Sequence, residues 1–322
     1  MKAPPRAANF PALDRPQNNA CALSVVVGSI DSSRTIARAL SALSAATAGI
    51  DAEILVVDAS TDGTGKRVRT ESSTVRLREL APGTLMPMLW STGYSMARGR
   101  VVAFTTGHCV VSESWARALL AGIDGGASGV SGSLVPSSES GVVDHALFYL
   151  RYSAFLSAGE RGEEGAPEIP GDNAAYSSDA LARHAASFSG GFWEVDFHRR
   201  LRVENTGARL VFVQGARAEF GPSAPFMSLA RQRFAHGCHS GAWRASTGAR
   251  SLPQIVLAAP LVPLVLVARI ARRVLSQPAH RSRFLIALPV TLALAVAWAA
   301  GEAWGAVADR RIPTLRKPRL AA

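Results

Sequence analysis

From Leu23 onward the chain alternates short apolar runs with amphipathic stretches. Leu23–Val27 is rich in valine and predicts a buried strand. Ser32 and Ser33 then stand where they can cap a helix whose Ile36, Leu40, Leu43 and Thr47 share one face. A second buried run, Ile54–Val57, is followed by a turn at Gly63 and a helix start over Thr64–Arg69. Further strands are predicted at Val75–Leu80, Val101–Thr105 and Gly129–Val135, and helices near Met86–Ala97 and Glu113–Ile123. Strands alternating with helices predict an α/β fold, a mainly parallel sheet covered on both faces.

Two later apolar stretches differ in kind. Leu252–Ala268 runs 17 residues without a charge, but Pro253, Pro260 and Pro263 interrupt it. As a helix it would cover about 25 Å of a hydrocarbon core about 30 Å thick, which suits an interfacial or re-entrant segment. Phe284–Ala308 is 25 residues with the single charge of Glu302, and Trp298 and Trp304 stand near its distal end as aromatic anchors would. It is the better spanning candidate.

Composition sharpens this division. Of 322 residues, 48% are hydrophobic and 18% charged, which excludes a disordered chain and suggests that some apolar surface meets lipid. The net charge of +11 is unevenly spread: residues 223–322 hold 14 Lys and Arg against Glu302 and Asp309, and the rest of the chain is near neutral. The basic charge therefore accompanies the apolar runs, so membrane phospholipid is the expected partner and nucleic acid is not. Cys21, Cys109 and Cys238 are far apart and odd in number, which fits a reducing compartment. The proline-rich first 20 residues lack the apolar core of a signal peptide.

The organisation expected is a flexible tail over 1–20, a catalytic domain over 21–222, a basic interface segment over 223–250 and membrane-associated segments over 251–322. Arg269, Arg272, Arg273, Arg281 and Arg283 between the apolar runs look cytoplasmic, as do Arg310, Arg311, Arg316, Lys317 and Arg319 after them. Two full crossings would separate those clusters. The expectation is a cytoplasmic catalytic domain on the inner membrane with an embedded or hairpin-like C-terminus.

Ligands of open parallel sheets bind outside the carboxyl ends of the strands, so polar residues just after apolar runs are candidates: Asp31, Asp58 and Thr106–His108. Asp58 opens Asp-Ala-Ser-Thr-Asp-Gly-Thr, where a carboxylate either accepts from a ribose or base N–H or closes an Asx-turn.

Four blocks carry a resemblance: Leu23-Ser-Val-Val-Val-Gly-Ser-Ile-Asp31, Glu53-Ile-Leu-Val-Val-Asp-Ala-Ser-Thr-Asp-Gly-Thr64, Ala97-Arg-Gly-Arg-Val-Val-Ala-Phe104 and Gly190-Gly-Phe-Trp-Glu-Val-Asp196. In order and spacing they resemble family 2 glycosyltransferases with the GT-A fold. The resemblance implies inverting transfer from a nucleotide-diphosphate sugar, with Asp58 and Asp31 on the nucleoside and a divalent cation, Mn²⁺ or Mg²⁺, on the diphosphate. It implies that Glu194 is the base that takes the acceptor's proton, with Asp196 just after it. Ile169-Pro-Gly-Asp-Asn-Ala-Ala-Tyr176 resembles the preceding block, so that Asp172 and Asn173 would face the acceptor unless they only form a Pro-Gly turn.

The sequence departs from the family where Asp-x-Asp is expected, reading Thr106-Gly107-His108. Thr106 and His108 cannot supply two carboxylates. His108 is then a ligand to a softer ion, a phosphate contact, or a satisfied loop histidine. The Arg231–Gly237 stretch and His239 read as a basic interface segment, or as groups that meet the leaving diphosphate. The function expected is a glycosyltransferase acting on a lipid or cell-envelope polysaccharide acceptor at the membrane. The alternative is a non-catalytic relative that binds a sugar nucleotide or a partner.

Overall fold

A computed structural model describes residues 20–156, 166–204, 207–222, 224–247 and 251–308. The proline-rich tail and the last basic cluster lie outside the described residues. The chain divides into two compact units, one of residues up to Ser140 with Ala154–Ser223, the other of Gly141–Ser153 with the residues from Ala224 onward. Gly141–Ser153, which the sequence places in the catalytic domain, thus groups with the C-terminal helices.

In the first unit β1 (Cys21–Ser29), β2 (Ala52–Asp58), β3 (Arg76–Glu79) and β4 (Gly99–Thr106) form the parallel part of the main sheet, with α1 (Ile36–Ala46), α2 (Thr64–Glu71) and α3 (Met86–Met96) as crossovers. Ser32 and Ser33 do not cap α1, whose N-cap is Thr35. Their backbone N–H groups instead donate to Thr64 and Asp62 on the next loop. After β5 (Cys109–Val111) and α4 (Trp115–Asp124), the expected strand over Gly129–Val135 is two strands, β6 (Gly129–Ser131) and β7 (Leu134–Pro136), in different sheets. The chain bends at Gly132 because the Ala216 backbone lies against it, where any Cβ would collide.

The main sheet is completed by β8 (Asn173–Ser177) and β9 (Leu210–Phe212), in the order β3-β2-β1-β4-β8-β6-β9. β8 runs antiparallel to β4, pairing Thr105 with Asn173, so the residues entering β8 arrive at the carboxyl end of β4. β10 (Ala218–Phe220) joins β5 and β7 in a small second sheet. Within this unit α6 (Ser178–Arg183) and α7 (Glu194–Glu204) follow β8. The core under them is aromatic: Phe104 stacks on Phe192 at 4.6 Å, and Tyr176 meets Phe197 edge-on at 5.1 Å.

The second unit holds α5 (Val142–Tyr152), α8 (Phe226–Thr247), α9 (Leu252–Ala258), α10 (Val262–Leu275) and α11 (Arg281–Ala308). Pro260 lies in the break between α9 and α10, which are bent by 64°. The 17-residue run is therefore two short helices. Pro278–Ala308 is one helical stretch of 31 residues, long and apolar enough to cross a membrane. α8 and α11 pack backbone to backbone: Gly237 and Gly241 face the Trp298 and Glu302 carbonyls, and Gly301 and Gly305 face those of Phe234 and Cys238. Glu302 is 2% exposed, and its carboxylate pairs with Arg244 of α8, whose guanidinium also lies 5.9 Å from the centre of the Trp298 ring. That pair explains how the spanning candidate tolerates its one charge.

Candidate active site

Strand register brings the first three candidates together. β1 lies between β2 and β4: the chain runs from β1 outward through β2 to β3 and then crosses back to β4, and this reversal opens a crevice at the carboxyl ends of β1 and β4. There Ser29 pairs with Asp58 and Gly28 with Thr106. Asp31 follows in the left-handed region at φ 51°, a conformation that aspartate tolerates better than most side chains. Its N–H donates to Ser60 Oγ at 2.8 Å, and its Oδ1 accepts from Thr61 N at 3.3 Å. The loops after β1 and β2 are thereby stitched to each other.

Asp58 is 3% exposed and accepts a 2.5 Å hydrogen bond from Ser60 Oγ. Burial raises its carboxyl above the usual range, more than the hydroxyl contacts from Ser60 and Ser29 lower it. A buried carboxylate at a strand end, with no cation paired to it among the described residues, is suited to accept from a ligand. Asp62, four residues on, is the opposite case. Burial is the largest single influence and pushes it up, yet the combined hydrogen bonds from Thr64 and Ser33 bring it below the usual range. Asp62 therefore builds the loop. The sequence signal for that role is Asp-Gly-Thr, with Gly63 at φ 88° as the N-cap of α2.

Thr106 is buried, and its hydroxyl faces Cys109 Sγ at 3.4 Å. His108 is held by its ring: Nε2 lies 3.0 Å from Ile30 O and 3.2 Å from Ser32 Oγ, and Nδ1 lies 3.1 Å from Pro222 O. A carbonyl only accepts, so both nitrogens point at atoms that compete with a metal for them. Among the described residues no three His, Cys, Asp or Glu side chains converge as a cation cage. These residues do not make a metal site by themselves. A hard divalent cation fits here only with donor phosphate oxygens as its main ligands.

On the other side of β4, the Trp90 indole N–H donates to Thr105 O at 3.0 Å, and its six-membered ring lies under Gly171. A Cβ on Gly171 would stand 3.3 Å from the Glu194 carboxyl carbon, which fixes Glu194, the first residue of α7, beside the segment that enters β8. A carboxylate in a first helical turn is favoured by the helix dipole. Asp196 is differently placed: Oδ1 accepts from Arg199 and Oδ2 from Arg200, both at 2.7 Å. Burial pushes its carboxyl up, and the two guanidinium groups outweigh that and hold it low. It is a poor proton acceptor.

Asp172 is 1% exposed next to Gly171. Asn173 is turned inward: its Oδ1 accepts from Trp115 Nε1 at 2.6 Å, and its Nδ2 donates to Ala216 O at 2.9 Å. Asn173 therefore ties β8 to α4 and does not face an acceptor. The sequence also gave no sign of the Tyr176–His198 pair, fully buried, with Oη and Nε2 2.7 Å apart. Burial, with Arg202 nearby, lowers the His198 imidazole to about 3. Its pKa is lower folded than unfolded, so the unfolded chain binds the proton first. Stability is expected to fall as pH drops below about 6.5. Thermal unfolding of wild type and His198→Gln between pH 7 and 4 checks this, with a flatter profile in the variant.

The model of the family described as glycosyl transferase family 2 matches residues 24–184, half of the chain, and takes in β1 to α6 with the crevice. The chain belongs to glycosyl transferase family 2. Its fold is the α/β GT-A fold, with a mostly parallel main sheet. No curated protein matches this family 2 chain by sequence. Among solved structures it is similar to Staphylococcus aureus TarS residues 1–349 in complex with UDP-GlcNAc, at 13% identity and TM-score 0.49, over 87% of this chain and 90% of that one. A second TarS structure matches at 15% identity and TM-score 0.46 over 67% of this chain, which spans only 39% of that one. Glucosyl-3-phosphoglycerate synthase from Mycobacterium tuberculosis, with Mn²⁺ and UDP-glucose, matches at 16% identity and TM-score 0.44 over 67% and 77% of the two chains.

Proposed function

We propose that this family 2 chain is an inverting glycosyltransferase that moves a sugar from a nucleotide-diphosphate donor to a lipid or cell-envelope polysaccharide acceptor, working at the cytoplasmic face of the inner membrane. The observation that carries the reading is the pair of carboxylates at one end of one sheet: Asp58 at the carboxyl end of β2, next to that of β1, and Glu194 beside Gly171 past β4. In the step assigned to them, the acceptor oxygen attacks the anomeric carbon and Glu194 takes its proton. The bond to the diphosphate breaks and the nucleoside diphosphate leaves with the electron pair. Asp58 and Asp31 hold the nucleoside, Thr106 and His108 stand on the donor side, and Asp172 stands on the acceptor side. When a divalent cation accompanies the donor, it supplies charge neutralisation on the diphosphate.

The long apolar helix and the basic charge of the C-terminal third support the membrane assignment. The test is an assay of membrane and soluble fractions from cells producing the full chain, supplied with nucleotide-diphosphate sugars, with and without chelator. The expected result is donor turnover in the membrane fraction. The full chain in the soluble fraction overturns the membrane assignment. Donor binding without turnover on any acceptor fraction overturns the catalytic one in favour of a sugar-nucleotide binder. Turnover unchanged by chelator removes the cation.

A further inference from the structure

The second unit contains a cavity of about 510 Å³ that none of the assigned chemistry uses. Its polar lining is cationic: Arg233 and Arg244 from α8 and Arg269 from α10. Leu261, Val265 and Trp298 are among its apolar walls. Arg244 already has a counter-charge in Glu302. Arg233 and Arg269 form no ion pair among the described residues, and Arg233 Nε is fully buried without a hydrogen-bond partner. Burial, with Arg151 nearby, lowers the Arg233 guanidinium to about 10, as expected of a cation that lacks an acid. A buried donor of this kind calls for an acceptor that the described residues do not provide.

The apolar lining is unusual for a soluble anion. Leu261 and Val265, which line the cavity, and Leu257 and Leu264 elsewhere on the bent α9–α10 segment are all at least half exposed. Free phosphate would need the cations and leave this wall bare. A hydrocarbon chain would cover the wall and leave the cations unmet. We propose that the cavity binds a lipid phosphate monoester, its headgroup on Arg233 and Arg269 and its chain along α9 and α10. A phosphate monoester carries close to two negative charges at neutral pH, which matches two unmatched guanidinium groups, whereas a fatty carboxylate carries one.

The test needs no donor, so it is independent of the transfer reading, which can fail without touching it. Full-length chain in a non-ionic detergent is titrated with dodecyl phosphate, dodecanoate, dodecanol and inorganic phosphate, following the unfolding midpoint and Trp fluorescence. Saturable stabilisation by dodecyl phosphate alone is expected, and Arg233→Gln and Arg269→Gln each weaken it on the order of tenfold. Arg273→Gln, exposed on the same helix but outside the cavity, leaves it unchanged. Should Arg233→Gln fail to fold, Arg269→Gln decides. Equal binding of inorganic phosphate or dodecanoate overturns the proposal. So does an Arg273→Gln defect as large as that of Arg269→Gln, which would mean diffuse basic attraction, or unchanged affinity in the folded cavity variants.

Discussion

Glu194→Gln is expected to lower turnover by about 10²–10⁴-fold with donor affinity nearly unchanged. The amide keeps the shape of the side chain beside Gly171 and Trp90 but cannot take a proton. Because the loss lies in the chemical step, kcat falls and the donor KM does not. Asp196→Asn is the internal comparison: its carboxylate is held by Arg199 and Arg200, so its replacement acts on α7 stability and only weakly on rate. Steady-state kinetics on both variants, with donor binding measured separately, checks the assignment. Full activity in Glu194→Gln would remove the base from this position.

Asp58→Asn is expected to abolish nucleotide binding and to raise the unfolding temperature of the free protein at neutral pH. Both effects have one cause. Burial raises the Asp58 carboxyl, so ionising it in the folded state is harder than in the unfolded chain. Its contribution to stability then declines as pH rises from the unfolded value of about 4 through the raised folded one. The uncharged amide escapes that penalty, but it puts a donor NH2 where the second acceptor oxygen for a ribose hydroxyl or base N–H stood and removes the charge that strengthens that bond. Calorimetry with uridine, guanosine and adenosine diphosphates, beside thermal unfolding from pH 4 to 8, checks both halves. Unchanged nucleotide affinity would return Asp58 to a turn role.

The parallel strands were readable because burial on both faces writes them as continuous apolar runs: Val25–Val27, Leu55–Val57 and Val101–Phe104 are all fully buried. Asp31, Asp58 and Thr106 could be picked out for the same reason, since a strand end is a local event. β8 was not foreseen as a strand, for Asn-Ala-Ala-Tyr-Ser has little β-propensity, and its place is set by β4 some seventy residues earlier. The inward role of Asn173 depends on Trp115, and the state of His108 depends on Ile30 and Pro222, contacts that no local pattern encodes. The bend at Gly132 is of this kind too, dictated by Ala216. The arginine cavity draws Arg233 and Arg244 from α8, Arg269 from α10 and Trp298 from α11, a convergence that no local pattern encodes.

The glycine seam between α8 and α11 bears on how this chain can change over generations. In an ordinary core a bulky substitution is answered by trimming the neighbour it strikes. Here each glycine faces a peptide carbonyl, which cannot be trimmed. A methyl added at Gly237, Gly241, Gly301 or Gly305 has no second-site partner within the seam, and the helices can only move apart. Separation would also pull Arg244 from Glu302 and break the ion pair of a buried carboxylate. Lineages descending from this sequence therefore keep all four glycines together, or lose the seam and the buried acid in a single step.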